Sequence, residues 1–220
     1  MKTKEKKSII VIGGGGHARV LINILQTQRF KILGYTDLEE KNGLAVPYLG
    51  NDADVRKNYK KEQVHLVNGV GSVKLPAQRK KVYEDYKKLG YVFLSVIHPR
   101  AIISRGVTLK EGVQINAGAV INTGTVVEED VIVNTLASVD HDCIIGAHTH
   151  IAPGVTVSGG VRIGQCCHIA IGAKIIQGIH IGDNVFVPAG AVVVENAGDN
   201  TKAEGLYQRK SLGQRTSDSI

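Results

Sequence analysis

The tetrapeptide Val139-Asp140-His141-Asp142 sets an imidazole between two carboxylates. A carboxylate beside a histidine fixes its tautomer and raises its basicity, which suits a general base. Gly159 lies 18 residues further on, and its unhindered N–H is a donor for an oxygen that gains negative charge. A base next to such a donor is what acyl transfer requires, provided that residues 18 apart are neighbours in space. A plainer reading stands beside it: Asp140 and Asp142 solvate a corner, and His141 is an ordinary surface residue.

The element that makes residues 18 apart into neighbours spans 103–193. Every sixth residue there is aliphatic and branched: Ile103, Leu109, Ile115, Ile121, Val127, Val133, Val139, Ile145, Ile151, Val157, Ile163, Ile169, Ile175, Ile181, Val187 and Val193. Neither the 3.6-residue period of a helix nor the 2-residue period of a strand demands this. A prism-shaped parallel β-solenoid does, because each short strand turns a corner and sends one large residue inward. Gly146, Gly164 and Gly182 recur at 18, so three strands make one coil and the stretch holds about five coils. Residues 18 apart then stack one strand spacing apart, about 4.8 Å. Gly159 falls over His141, and His168 over His150. His150 is half a coil from His141 and projects from the far side of the prism. His141, His148, His150, His168 and His180 all avoid the inward aliphatic position, which points them to the surface or to a groove between subunits. Packing against further copies is one way to cover the flat strand faces, and a cyclic trimer would bring one copy's His150 toward a neighbour's His141. Neutral imidazoles so placed also permit an intersubunit zinc site. Ala101, Ala119, Ala137, Cys143, Cys167, Ala173 and Ala191 lie two before the aliphatic positions and suit tight corners, which makes the cysteines filler.

Ahead of the repeat, SIIVI (8–12) reads as a buried strand, and glycines 13–16 lead into a helix running through Leu25. Gly13, Gly15 and Ala18 satisfy G-x-G-x-x-A, and Asp37 follows 19 residues after Ala18, beyond a second strand, KILGYT. Glycines let a phosphate approach backbone N–H groups at the positive end of a helix. A tight turn needed only for packing reads equally from the motif alone, and His17 shares the ambiguity. A third strand is expected at 64–68, a turn at Gly69-Val70-Gly71-Ser72, a helix at 76–89 and a last strand at 91–97. Three or four parallel strands make residues 1–97 a small α/β, Rossmann-like domain, too short for the two mononucleotide halves of a dehydrogenase. The solenoid occupies 98–195. The tail, 196–220, is polar and aperiodic, a short helix or a loose end.

The net charge of +7 fits anionic small molecules such as nucleotides or coenzyme A. With no Trp, 5% aromatics and no basic helix, nucleic acid is a poor partner. Lys2, Lys4, Lys6 and Lys7 read as a solvated tail. No run approaches a membrane span. Cys143, Cys166 and Cys167 form no disulfide framework, which favours a reducing cytoplasm.

Taken together, VIGGGGHARV, the strand-ending YTD, the turn GVGS, SVIHPRAIIS and NTLASVDHDCIIGAHTHIAPGVTVSGGVRIG closely resemble the bacterial sugar acyltransferases of the NeuD/PglD type, over residues 8–195. The resemblance implies a left-handed β-helix, a homotrimer, and acetyl-CoA in the groove between adjacent helices, with polysaccharide biosynthesis as the setting. It implies His141 as general base and Asp142 as the carboxylate that raises its basicity. It puts acetyl-CoA against His150, Ile171 and Ala189, with Gly159 at the oxyanion position, and a nucleotide sugar against Gly15, Gly16, His17, Asp37 and Gly71. No metal is implied. Two positions depart from the family: Leu38 follows Asp37 where a second acidic residue is common, and Gly205-Leu206-Tyr207-Gln208-Arg209 replaces G-x-P-A-K. The expected activity is acetylation of the amine of a nucleotide-linked 4-amino-4,6-dideoxy sugar. Its rivals are O-acetylation of a sialic or other nonulosonic acid, a zinc-dependent hydratase resembling the carbonic anhydrases on this helix, and a non-catalytic nucleotide-sugar binder.

Overall fold

The computed structural model describes residues 7–203 and 205. The first unit is a three-stranded parallel sheet of order β2-β1-β3, built from β1 (Ser8–Ile12), β2 (Ile32–Thr36) and β3 (Val64–Asn68). Ile9 and Ile10 face opposite sides of it and both are buried, as expected of a strand covered on each face. Helix α1 (Gly16–Thr27) packs Ala18, Leu21, Ile22 and Leu25 on one side. Helix α3 (Ala77–Lys88) packs Tyr83 and Tyr86 on the other.

Two elements differ from expectation. Helix α2 (Asp52–Asn58) was not anticipated, although its start is marked in the sequence. Asn51 caps the backbone N–H groups of Ala53 and Asp54, and the Asp54 carboxylate accepts from Asn51 N–H. The segment 91–97 is not a fourth strand of this sheet. It touches β3 through a single bridge at Phe93, and β4 (Val96–Ile97) then pairs with the solenoid instead.

From β4 onward the chain is a parallel solenoid of two-residue strands, β5 (Ile102–Ile103) through β20 (Val192–Val193). They form three sheets of six, six and five strands, each strand paired with the one 18 residues away. The inward aliphatics from Ile115 to Val193 are almost wholly excluded from water. The small residues, Cys143 and Cys167 included, point into the same core immediately after each turn rather than forming it. The turn itself lies three residues beyond each aliphatic position: from Gly106 to Gly190, every sixth residue has a positive φ. Glycine takes nine of these positions, and Asp130, Asp142 and Asn184 are of the types that tolerate the conformation best.

Over residues 195–203 the chain is neither helix nor loose end. Residues 195–203 lay down most of a further coil, with Ala197 bridged to Ile181 and Lys202 to Phe186, 16 residues apart instead of 18. The two-residue shortening hid it from a six-residue period. The remaining tail residues, 206–209 among them, and Lys2, Lys4 and Lys6 lie outside the described residues.

A buried ionic network ties the two units together. Arg79 of α3 is 1% exposed, and all five of its N–H groups are committed. Two go to the carbonyls of Asn68 and Val70, at the end of β3. The other three go to Asp130 on a solenoid corner, including a 2.6 Å ion pair with Oδ1. His148, one coil above, donates from Nδ1 to Asp130 Oδ2 at 3.1 Å. This corrects the expectation for three histidines. His148, His150 and His168 are buried beneath the first unit of their own chain, since α3 and the 69–73 turn cover that side of the prism.

Replacing Asp130 by Asn keeps a residue that tolerates the positive φ but leaves Arg79 a buried charge without a counter-ion. Urea unfolding should show a loss of about 3 kcal/mol, the lower end for breaking a buried pair; an unchanged midpoint would contradict this account of the interface.

Candidate active site

His141 lies between β11 (Ser138–Val139) and β12 (Ile144–Ile145), at a corner whose column reads Gly106, Gly124, Asp142, Gly160, Gly178. Asp142, at φ 59°, is the one side chain in a column otherwise of glycine. Its Oδ2 accepts from His141 Nδ1 at 2.8 Å, which leaves the Nε2 lone pair free. Gly124 below must be glycine, since a Cβ there would run into the Asp142 carboxylate. Gly159 above is held to glycine by space: a Cβ would stand 2.5 Å from His141 Nε2. The ring therefore rests directly on the Gly159 backbone, whose N–H has no hydrogen-bond partner among the described residues. Asp140 does something different. It accepts from His141 N–H and from Asn122 Nδ2, both at 2.8 Å, and so pins the turn. The Asp142 hydrogen bond, with help from Asp140, raises the pKa of His141, which stays 53% exposed.

A second site lies where the two units meet. A cavity of about 610 Å³ is lined by glycines 13–16, His17 and Asp37, by the 69–73 turn, and by Asn116, Asn134 and His150 of the solenoid. Gly14 N–H donates to Asp37 Oδ2 at 2.8 Å, closing the glycine turn onto the end of β2. Gly15 and Gly16 open onto free space at the start of α1, where N–H groups and the helix dipole favour an anion. Gly71 packs against His17. Burial and the nearby Arg79 push the pKa of His17 down to about 4, so its ring is neutral. Its Nε2 meets Gln114 Oε1 at 2.6 Å, and Gln114 Nε2 donates to Asn68 O at 2.7 Å. The Gln114 amide is thus oriented, and His17 is the Nε2–H tautomer. Burial also pushes the pKa of His150 well down and that of His168 down. Ser72 Oγ joins them, at 2.9 and 3.3 Å from their Nδ1 atoms.

The expected residues therefore fall into three places. Gly15, Gly16, His17, Asp37 and Gly71 line one cavity, and His150 lines it too. His141, Asp142 and Gly159 occupy one corner. Ile171 and Ala189 stack, exposed, next to another corner, that of Gly172 and Gly190. β13 (His150–Ile151) belongs to the sheet opposite the His141 corner, so one chain holds His141 and the cavity on opposite sides of the prism. Ser72, Gln114, Asn116 and Asn134 were missed. The 18-residue stacking of Asn116 under Asn134 was the available signal. Among the described residues no group of His, Cys, Asp and Glu has the arrangement of a metal site, and no helix is long and apolar enough to cross a membrane.

A glycine-turn cavity facing a solenoid that carries a histidine–carboxylate pair beside an N–H unpartnered among the described residues is an arrangement suited to acyl transfer. The comparisons agree and narrow the class. The PglD N-terminal domain model matches residues 8–86, and the bacterial transferase hexapeptide model (six repeats) matches residues 124–159. The acetyltransferase domain of PglB from Neisseria gonorrhoeae, solved with acetyl coenzyme A, is 32% identical, with a TM-score of 0.84 over 91% of this chain and 99% of that one. A histidine mutant of perosamine N-acetyltransferase from Caulobacter crescentus, solved with CoA and GDP-perosamine, is 33% identical, with a TM-score of 0.85 over 90% and 93%. WeeI from Acinetobacter baumannii shares the fold at 21% identity and a TM-score of 0.81. The chain belongs to this PglD-type family of hexapeptide-repeat sugar acetyltransferases, a class whose acyl donor is acetyl-CoA.

Replacing Asp142 by Asn removes the acceptor charge on Nδ1. Titration of the His141 ring protons by NMR should show its pKa falling toward the ordinary histidine range; an unchanged value would mean that Asp142 does not set the basicity.

Proposed function

We propose that this enzyme moves the acetyl group of acetyl-CoA onto the amine of a nucleotide-linked amino sugar, of the 4-amino-4,6-dideoxy type, and that it works as a cytoplasmic homotrimer. The carrying observation is His141, with Nδ1 bound to Asp142 and its ring lying against Gly159, whose N–H has no partner among the described residues. The interdomain cavity takes the nucleotide sugar, with its diphosphate on glycines 13–16 and Asp37 toward the ribose. The exposed Ile171 and Ala189 column, with His150, takes acetyl-CoA. The Neisseria relative solved with acetyl coenzyme A and the Caulobacter relative solved with CoA and GDP-perosamine support these two ligand classes.

The amine nitrogen attacks the thioester carbonyl directly. His141 Nε2 takes the proton that the nitrogen loses, and the Gly159 N–H binds the carbonyl oxygen as it becomes an oxyanion. Collapse breaks the C–S bond, and the imidazolium returns its proton to the departing thiolate. No acyl-enzyme is needed, and the buried Cys143, Cys166 and Cys167 stand aside. Burial pushes the pKa of all three thiols up, which makes them poor nucleophiles. Because base and cavity lie on opposite sides of one chain, a working site takes His141 from one copy and the cavity from its neighbour.

Thiol release from acetyl-CoA should be measured with UDP-, GDP- and dTDP-linked amino sugars beside their hydroxyl counterparts. One amino sugar should stand out, and His141→Ala should lower its turnover at least ~100-fold, the lower range for a general base. Preference for a hydroxyl acceptor would make the enzyme an O-acetyltransferase, and wild-type rates in His141→Ala would remove the base assignment.

A further inference from the structure

A directed ladder of hydrogen bonds runs across the solenoid wall of the cavity. Asn134 Oδ1 accepts from the N–H and hydroxyl of Thr135, at 2.8 and 3.3 Å, which settles which end of its amide is oxygen. The atom of Asn116 that meets Asn134 Oδ1 at 2.7 Å must then be the amide nitrogen. Asn134 Nδ2 in turn donates to His150 Nε2 at 3.0 Å. His150 is therefore the Nδ1–H tautomer and donates to Ser72 Oγ, whose hydroxyl proton goes on to His168 Nδ1. Among the buried side-chain nitrogens and oxygens of the described residues, only the atom at the other end of this ladder lacks a partner. Asn116 Oδ1 is buried in a residue only 1% exposed, and no hydrogen bond reaches it. Asn116 lines the cavity. Its amide cannot turn over to relieve the orphan, because the nitrogen is held by Asn134.

Native interiors rarely leave such an acceptor unpaired. The cavity supplies the reason. The glycine turn at the start of α1 is the anion end, and Asn116 stands on the facing wall, contributed by the solenoid. A ligand whose phosphates sit on the turn presents its far group to that wall. We infer that Asn116 is a substrate-binding residue, whose Oδ1 accepts a hydrogen bond from an N–H or O–H donor on the sugar of the bound nucleotide sugar. This rests on the cavity's being the nucleotide-sugar site. The adjacent His150 also presents no free donor, because both its ring nitrogens are engaged within the ladder. The wall therefore favours a sugar that brings its own donor over one that offers a methyl or an ether at that place.

Calorimetric titration of the 220-residue protein, without acetyl-CoA, separates the possibilities. The ligands are UDP-, GDP- and dTDP-linked 4-amino sugars, their 4-hydroxy counterparts, and the bare nucleoside diphosphates. Asn116→Leu and Asn116→Ala should each weaken the preferred nucleotide sugar at least tenfold and leave the matching bare diphosphate within about twofold. The intact diphosphate affinity also shows that the variant cavity is folded. A loss confined to the amino sugar marks the amine as the donor, and a loss shared with the hydroxy sugar marks a hydroxyl. Equal losses for sugar and diphosphate would overturn the assignment in favour of a packing role. No loss for either would also overturn the assignment, because no group of the sugar then meets Oδ1. Wild-type protein that bound the diphosphates but gained nothing from any attached sugar would also overturn it, while one that bound none of the ligands would refute the nucleotide-sugar reading itself.

Discussion

The guanidinium of Arg79, closed off from water and bound through all five N–H groups, is the joint on which the site depends. A charge buried this way is tolerated only because Asp130 neutralises it and the carbonyls of Asn68 and Val70 complete its shell. Those carbonyls belong to the end of β3 and to the turn that walls the cavity. Asp130 belongs to a solenoid corner. One side chain therefore fixes the distance between a glycine turn suited to phosphate and a wall of amides and imidazoles. Gln114 adds a second tie: its Oε1 accepts a hydrogen bond from His17 and its Nε2 donates one to Asn68 O, so His17, in the first turn of α1, is oriented by the solenoid.

The solenoid answers a different requirement. The His141 corner brings a carboxylate, an imidazole and a bare N–H together, Asp142 as a chain neighbour and Gly159 through the 18-residue coil. Asp142 stands at a positive φ in a column of glycines, and that conformation returns its carboxylate to the ring beside it. Gly159 one coil up and Gly124 one coil down have no room for a Cβ because of His141 and Asp142 respectively. The two glycines are thus part of the site without contributing a side chain.

Much of this was legible in the sequence because the solenoid is nearly one-dimensional. A period of six gives the strands, a period of 18 gives the neighbours, and the stacking of Gly159 on His141 and of His168 on His150 follows by counting. What counting could not reach was contact between distant parts of the chain. His148, His150 and His168 avoid the inward position, and periodicity alone reads that as surface; only α3 and the 69–73 turn, far away in sequence, bury them. The pairing of β4 with the solenoid was hidden because YVFLSVI is apolar enough for either sheet. The coil at 195–203 was hidden by its 16-residue spacing. Asn116 carries no mark except its place under Asn134, and its meaning comes from the orientation of an amide that sequence does not encode locally.

The central claim is that one active site takes its base from one copy and its nucleotide cavity from another. Mixed oligomers test it directly. Protomers carrying His141→Ala supply a cavity without a base. Protomers carrying Gly15→Leu supply a base without a cavity, since the new side chain enters open space at an ordinary φ of −77° and fills the glycine turn. Each parent alone should be nearly inactive. Oligomers assembled from both should regain a substantial fraction of wild-type turnover, because some neighbouring pairs then hold one intact half each. No recovery in verified mixed oligomers would contradict the shared site and place base and cavity in the same chain.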